Sequence, residues 1–391
     1  MLTELYAEID KLFDETVEIR RYLHMHPELS FQEYKTAAYI ANYYEQLGIP
    51  YIKNVGGNGV IATLKGEKPG KTIALRADFD ALPIQDEKDV PYKSTVKNVM
   101  HACGHDGHTA TLLTLAKALL VHRDKLPGTV VFVHQHAEEL APGGAKPIIE
   151  SGQLDHIDAI FGTHLWATEP VGKLQTSKEA LMAGSDRFVL HIQGQGGHGA
   201  YPHETKDAIM IGTQIVQSLQ QIVSRRVNPL EAAVVTVGTF QAGSAFNIIA
   251  DKATLSGTVR YLNKDVQELI KKELETIIKG ICDSFHATYT IEYEDGYPPV
   301  INHPEDAEII LNMEGKVPGV ELTEEILPVM GGEDFSYYLY EKPGAYFFTG
   351  ANKEGNNYPH HHPKFDIDER AMLIAAKALI TAYMDYQSKS N

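Results

Sequence analysis

Three apolar runs, KTIALRAD (71–78), TVVFVHQ (129–135) and IDAIFGTHL (157–165), end on or just before residues able to hold a proton or a metal ion. Asp78 closes the first and Asp80 follows it. Glu138 and Glu139 follow the second, and His164 lies at the end of the third. Between the first two, TATLLTLAKALLVH (109–122) has helical periodicity. Strands alternating with helices specify an α/β fold around a sheet with substantial parallel character. In such a sheet the polar residues at strand ends collect beyond its carboxyl edge. The fold thus fixes where the chemistry has to gather.

The flanking segments extend this pattern. Residues 3–24 read as one helix that Pro27 keeps from continuing, and a second helix covers about 33–47 before Gly48. Near 185 the texture changes to a strand-helix-strand-strand-helix-strand series, with helices over about 205–227 and 264–284. That is enough for an independent α+β domain on one small sheet. From 298 the α/β texture returns and closes in a helix beginning near Asp368. With 391 residues the chain is too long for one ordinary core. The expected division is 1–184 and 298–391 as one discontinuous domain, with 185–297 inserted.

Charge narrows the class of partner. The net charge of −17 opposes both nucleic acid and an anionic membrane surface, so neither is expected as a partner. No run approaches the roughly 18 apolar residues of a membrane span. The acidic, amphipathic start MLTELYAEIDKLFDE is unlike a signal peptide, so a cytoplasmic location is expected. Two cysteines, Cys103 and Cys282, support no disulfide framework, and Cys282 reads as a small buried hydrophobe.

Cys103 sits in HACGHDGH (101–108), where three histidines, a cysteine and an aspartate crowd eight residues. Such density suits a metal site, and a cysteine nucleophile with a histidine base is the alternative. Cys103 and His105 can face one cavity only through a non-helical turn, which Gly104 allows. His108 reads as a helix-face residue. Glu138 and Glu139 should repel each other unless a cation sits between them or one is protonated. Strand alternation would send them to opposite faces, so the strand must break, and the following APGGA is the expected place. One of the pair as ligand and the other as general base is a workable division. Asp80 is placed to orient a ligand histidine. His164 reads as structural or as a ligand, the loop YPHHHPKFD offers His360, His361 and His362, and the role of GGEDF (331–335) is open.

RRYLHMHPELSFQE, LRADFDALP, HACGHDGHTA, the HAEE pair, GGHGAYPH, FNIIAD with GTVR, GGEDF and HHPKFD follow one another along nearly the whole chain. In that order they resemble the cysteine-containing branch of the co-catalytic dimetal aminoacylase and carboxypeptidase-like amidohydrolases. Hippurate hydrolases, auxin-conjugate hydrolases, and N-acyl-amino-acid and N-acetyl-diaminopimelate deacetylases belong to that branch. The resemblance implies an α/β, zinc-exopeptidase-like catalytic domain with a mainly parallel mixed sheet, plus an inserted α+β lid and dimerisation domain. It implies two divalent metal ions per subunit, of zinc, manganese, cobalt or nickel. Cys103 takes the bridging place, with His105, Glu139, His164 and His361 as further ligands and His362 second to His361. Glu138 matches the general base and Asp80 the aspartate that orients the site. His198 matches a histidine that reaches a neighbouring subunit's site, and Asn247 and Arg260 match residues that hold the substrate carboxylate. The implied reaction is hydrolysis of an N-acyl amino acid, with N-acetyl or aromatic acyl groups, by a homodimer or homotetramer. A dipeptidase or small-peptide hydrolase with the same chemistry is the alternative, and an inactive ligand-binding homologue a remote one.

Overall fold

The structure is a computed structural model and describes residues 1–356 and 358–389. Two compact units divide the chain: Met1–Leu181, Val300–Leu327 and Asp334–Asn391 form the first, Met182–Pro299 and Pro328–Glu333 the second. The chain therefore leaves the first unit and returns to it. The short stretch Pro328–Glu333, which the sequence pattern placed in 298–391, clusters with the second unit.

The first unit is built on an eight-stranded sheet. Its first six strands in chain order are β1 (Tyr51–Val55), β2 (Gly59–Lys65), β3 (Lys68–Asp78), β4 (Pro127–Gln135), β5 (Ala159–Trp166) and β6 (Lys173–Thr176). Leu322–Glu325 and Gly344–Gly350 complete it, in the spatial order β1, β2, β4, β3, β5, Gly344–Gly350, β6, Leu322–Glu325. The central neighbours β4–β3, β3–β5 and β5 with Gly344–Gly350 are parallel, whereas β1–β2, β2–β4 and the pairing of Gly344–Gly350 with β6 are antiparallel. Near-continuous burial of β4 and β5 fits strands covered on both faces. Because β3, β4 and β5 run in one direction, Asp78, Gln135 and Trp166 end at the same edge. The segments that carry Asp80, Cys103, His105, Glu138 and Glu139 leave the sheet there.

Helices α1 (Leu2–Lys11), α2 (Phe13–Met25), α3 (Tyr34–Leu47) and α4 (His105–Val121) and the terminal helix Arg370–Gln387 contribute to one hydrophobic core with the sheet. The single helix expected over 3–24 is two, because Leu12 stands at φ −91, ψ 8 between them. No glycine or proline marks that break in the sequence. Gly48, at φ +67, closes α3 in the left-handed cap that glycine adopts without strain.

The second unit carries a four-stranded antiparallel sheet in the order Ala233–Ala242, Lys252–Tyr261, Gly184–Gln193, Thr288–Tyr297. Helices Ala208–Gln221 and Lys264–Ser284 supply the rest of its core, with Cys282 fully buried. Asp207 caps the first helix by accepting from the Ile209 and Met210 N–H groups, and Asn263 caps the second by accepting from Val266. Among the described residues no helix is long and apolar enough to cross a membrane.

Candidate metal centre

The octapeptide 101–108 changes conformation in its middle. Gly104 is left-handed at φ +95, and α4 starts immediately after it at His105. The turn brings Cys103 and His105 to one cavity with His164 from the end of β5. Ligand atoms of these three residues lie within 4.8 Å of one another. Cys103 Sγ is 3.3 Å from His164 Nε2.

The carboxylate pair arrives from β4. That strand ends at Gln135, and the break comes at Ala137, a non-glycine residue at φ +53, rather than in the APGGA that follows. The break thus precedes Glu138 and turns both carboxylates inward. Glu139 joins Cys103 and His361 in a second group within the same distance limit, and His105, Glu138 and Glu139 form a third. Two triads, Cys103/His105/His164 and Cys103/Glu139/His361, therefore share one sulfur.

Three buried histidines can be assigned a tautomer from their partners. His105 directs Nδ1 at Asp80, 3.1 Å from both Oδ1 and the carbonyl, which leaves Nε2 facing the cluster. Asp80 Oδ2 meanwhile accepts from Ser30 Oγ at 2.7 Å and from the Glu139 N–H at 3.0 Å. One aspartate thus holds both a histidine and the backbone of a carboxylate. His164 donates Nδ1–H to the Leu165 carbonyl at 3.1 Å and turns Nε2 to the sulfur. His108 is different: Nε2 accepts from the Leu165 N–H at 2.9 Å, so Nδ1–H goes to Asp78 Oδ1 at 2.6 Å. Both its nitrogens are used, and it braces the segment that carries His164.

Of the three consecutive histidines, His361 faces the cluster, with Nε2 3.3 Å from Glu139 Oε1. His360 Nε2 accepts from the Ala167 N–H at 3.1 Å. His362 stacks on Tyr358 and accepts from the Lys364 N–H. His361 itself is left-handed at φ +64, a conformation the sequence does not announce.

Several motif residues prove to be supports. Arg20, fully buried, donates to Asp106 at 2.8 Å, Asp366 at 2.9 Å and Glu369 at 3.2 Å, and His24 Nδ1 lies 2.7 Å from Asp106. This lattice pins the first turn of α4 to α2. In GGEDF, Asp334 accepts from Arg76 and from the Gln135 amide, tying β3 to the end of β4. None of these ties shows in local sequence.

Electrostatically the cavity is short of positive charge. Burial, then Glu139, Glu138 and Asp78, hold the Cys103 thiol well above its usual range. A thiolate at that position needs a cation beside it, and an unassisted nucleophilic cysteine is disfavoured. Burial pushes the His105 imidazole down, but Asp78, Asp80 and Glu139 outweigh it and raise it to about 10. Among the described residues His105 Nε2 and Glu139 Oε1 are both buried without a hydrogen-bond partner, and they stand 3.8 Å apart. Unpartnered buried polar atoms are costly. Facing one another in a cluster of imidazole, thiol and carboxylate, they fit divalent cations of the borderline-soft kind.

In the second unit, His198 and Asn247 are exposed. His198 lies on a two-residue ladder opposite Ile248, and its Nδ1 accepts from the Ala200 N–H at 3.1 Å, so Nε2 carries the proton. Arg260 is half-buried, and its partners are the Met330 and Val259 carbonyls and the Thr258 hydroxyl rather than a carboxylate.

Residues 74–385 match the model of peptidase family M20/M25/M40. A putative amidohydrolase of Bacillus subtilis, YhaA, is 56% identical over 98% of this chain and 97% of its own. An N-acyl-L-amino acid amidohydrolase of Geobacillus stearothermophilus is 44% identical over 77% of this chain and 82% of its own. Among solved structures, the Bacillus subtilis YxeP protein, described as a dinuclear metal-binding peptidase, superposes with a TM-score of 0.84 at 33% identity. The match covers 97% of this chain and all of that one.

Proposed function

The chain belongs to peptidase family M20/M25/M40, and from that premise we propose that it hydrolyses the amide bond of N-acyl amino acids with two divalent ions bound around Cys103. The carrying observation is the pair of triads that share the Cys103 sulfur, with Glu138 beside them. Cys103 would bridge, His105 and His164 would complete one ion's ligands, and Glu139 and His361 the other's. When bound, such ions acidify water and polarise a carbonyl. Similarity to amidohydrolases, one acting on N-acyl-L-amino acids, supports the substrate class.

The protein's own groups do the rest. Glu138 is 7% exposed at the rim of the cluster and lies 4.0 Å from His105 Nε2. It takes a proton from the attacking water and returns it to the leaving amine. Asp80 keeps His105 in the tautomer that offers Nε2. His198, supplied by a second copy of the chain, donates Nε2–H to the developing oxyanion. Asn247 and Arg260 bind the substrate carboxylate, for which a guanidinium fork is well shaped. A homodimer or homotetramer is part of this proposal. Leu230 and Phe246 of the second unit are 93% and 103% exposed, and Ala233–Ala242 is an edge strand of its sheet among the described residues. Both cysteines are unpaired, which suits the reducing cytoplasm.

Hydrolysis of small peptides by the same groups is the second reading, favoured by the peptidase description of YxeP. The test is amine release from N-acetyl, N-benzoyl and N-indoleacetyl amino acids beside dipeptides. Reduced protein would be assayed with added zinc, manganese, cobalt or nickel and with a chelated control. Chelator-sensitive release from the acylated amino acids is expected. Release from dipeptides alone would move the protein to the second reading, and no release with any metal would sink both.

A further inference from the structure

The loop Ser30–Glu33, part of the motif HMHPELSFQE, has no place in the mechanism above, yet it touches the site from two sides. Ser30 Oγ donates to Asp80 Oδ2 at 2.7 Å. Glu33, fully buried, accepts the Ala137 N–H on Oε1 at 2.9 Å and the Asn58 amide on Oε2 at 2.9 Å. Ala137 is the residue whose left-handed φ of +53 breaks the line of β4 and turns Glu138 and Glu139 inward. An alanine adopts that conformation at a cost of about 1 kcal/mol or more, so something must hold it.

The other side of the bracket is equally fixed. Asn58 sits in the tight turn between β1 and β2, after Gly56 and Gly57, both at positive φ. Gly57 passes so close to His136 that a Cβ there would come within 2.6 Å of Nε2. The turn bearing Asn58 is thus seated on the residue preceding Ala137, and Glu33 bridges the two. Phe31, itself left-handed at φ +65, lies edge-on to the His136 ring at 5.9 Å. Burial pushes the Glu33 carboxyl up to about 7, against the lowering by Asn58. A carboxylate is a costly choice at a buried structural position, where a neutral amide would be cheaper. Here it has two donors to satisfy and no donor of its own to place.

We propose that Glu33 is a positioning residue for the reaction: its carboxylate holds the Ala137 peptide left-handed and so aims Glu138 at the water and Glu139 at the metal. This rests on the roles given to Glu138 and Glu139 above. Glu33→Leu removes both acceptors and leaves the Ala137 N–H without its partner. Glu33→Gln keeps an oxygen for that N–H, and Asn58 can turn its own amide oxygen to the new Nε2.

The experiment measures kcat, KM, metal content and hydrogen exchange of the 134–139 peptide for wild type, E33L and E33Q. In E33L kcat should fall on the order of 10²-fold, the penalty of an ångström-scale misplacement, with KM held. Exchange across 136–138 should accelerate, and E33Q should recover both. Wild-type kcat or wild-type exchange in E33L overturns the proposal, as does an E33Q variant that regains protection without regaining kcat. If the wild type releases no amine from any substrate, the functional reading has failed. The exchange arm then still decides by itself whether Glu33 holds the Ala137 peptide.

Discussion

The two units place their polar residues under opposite conditions. In the first, the cluster around Cys103 is largely buried, His361 apart, and several members are held from behind: His105 by Asp80, the His164 segment by His108, Glu139 by the Asp80 carboxylate. In the second, His198 and Asn247 are exposed, and Arg260 rests on backbone carbonyls and a hydroxyl. Chemistry that moves protons and fixes ions demands preorganisation, which a packed interior supplies. Residues that meet a variable substrate need less support from their own unit. Substitutions in the first unit should therefore act on turnover or metal content, and those in the second on substrate handling.

Glu138→Gln should break the comparison most severely. The amide keeps the volume and hydrogen-bonding reach but cannot carry the proton. A fall in kcat of about 10³-fold or more is expected, near the upper part of the general-base range. Metal content by elemental analysis should stay at the wild-type value. A variant that loses activity together with its metals would make Glu138 a ligand instead of a base.

Next comes His198→Ala, with an expected loss in kcat of about 10²–10³-fold, as for removal of an oxyanion donor. The proposed cross-subunit role gives a sharper form of the test. E138Q and H198A protomers are each nearly inactive, but after unfolding and refolding together a mixed dimer holds one site with both wild-type residues. Activity should return on mixing. If it does not, His198 acts within its own chain or not at all.

Much of this arrangement was legible in the sequence, and the losses have physical causes. Apolar runs marked β3, β4 and β5, and the residues at their ends fall at one edge because parallel strands share a direction. Helix α4 followed from its period, and Gly104 flagged the turn before it. The break at Leu12 was not legible, since neither neighbour is a breaker. Nor was the one at Ala137, because Glu33, far upstream in sequence, holds it. His361 could not be separated from His360 by composition; His360 spends Nε2 on the Ala167 N–H, whereas His361 Nε2 faces Glu139. Arg20, Asp106 and Asp334 lie in motifs beside the ligands, and only their distant partners show them to be the site's foundations.

Acid should separate the units by a smaller amount. His134 is buried with Tyr44 Oη 2.8 Å from Nε2, and burial pushes it down to about 3 from 6.5. The four histidines of the second unit, His191, His198, His203 and His286, are exposed. A group depressed in the folded state is fully stabilising above the unfolded value and loses that contribution as pH falls below it. His134 therefore withdraws stability from pH 6.5 downward, roughly 2 kcal/mol by pH 5. In metal-free protein His105, raised when folded, works in the opposite sense, because its stabilisation is complete below 6.5 and is lost as pH rises toward 10. The prediction is accordingly a difference. Between pH 7.5 and pH 5, His134→Gln should lose about 2 kcal/mol less than wild type, read in urea by Trp166, the only tryptophan. Parallel slopes would mean that His134 is charged in the folded state.

Arg260 should show the smallest effect, and the one that bears most on the substrate. Burial lowers its guanidinium from the usual range, with Asp186 opposing, and its partners on the protein are uncharged. A cation so placed is under-compensated and gains by meeting an anion. Lysine keeps the charge but loses the planar fork. Arg260→Lys should raise KM for an N-acyl amino acid about tenfold, the value of one charge-assisted hydrogen bond, and leave kcat in place. The same substrate with its carboxylate converted to an amide removes the anion. Wild type and variant should then bind it equally weakly. If KM rises for both substrates alike, Arg260 is a support of the Met330 loop, and the carboxylate is held by something else.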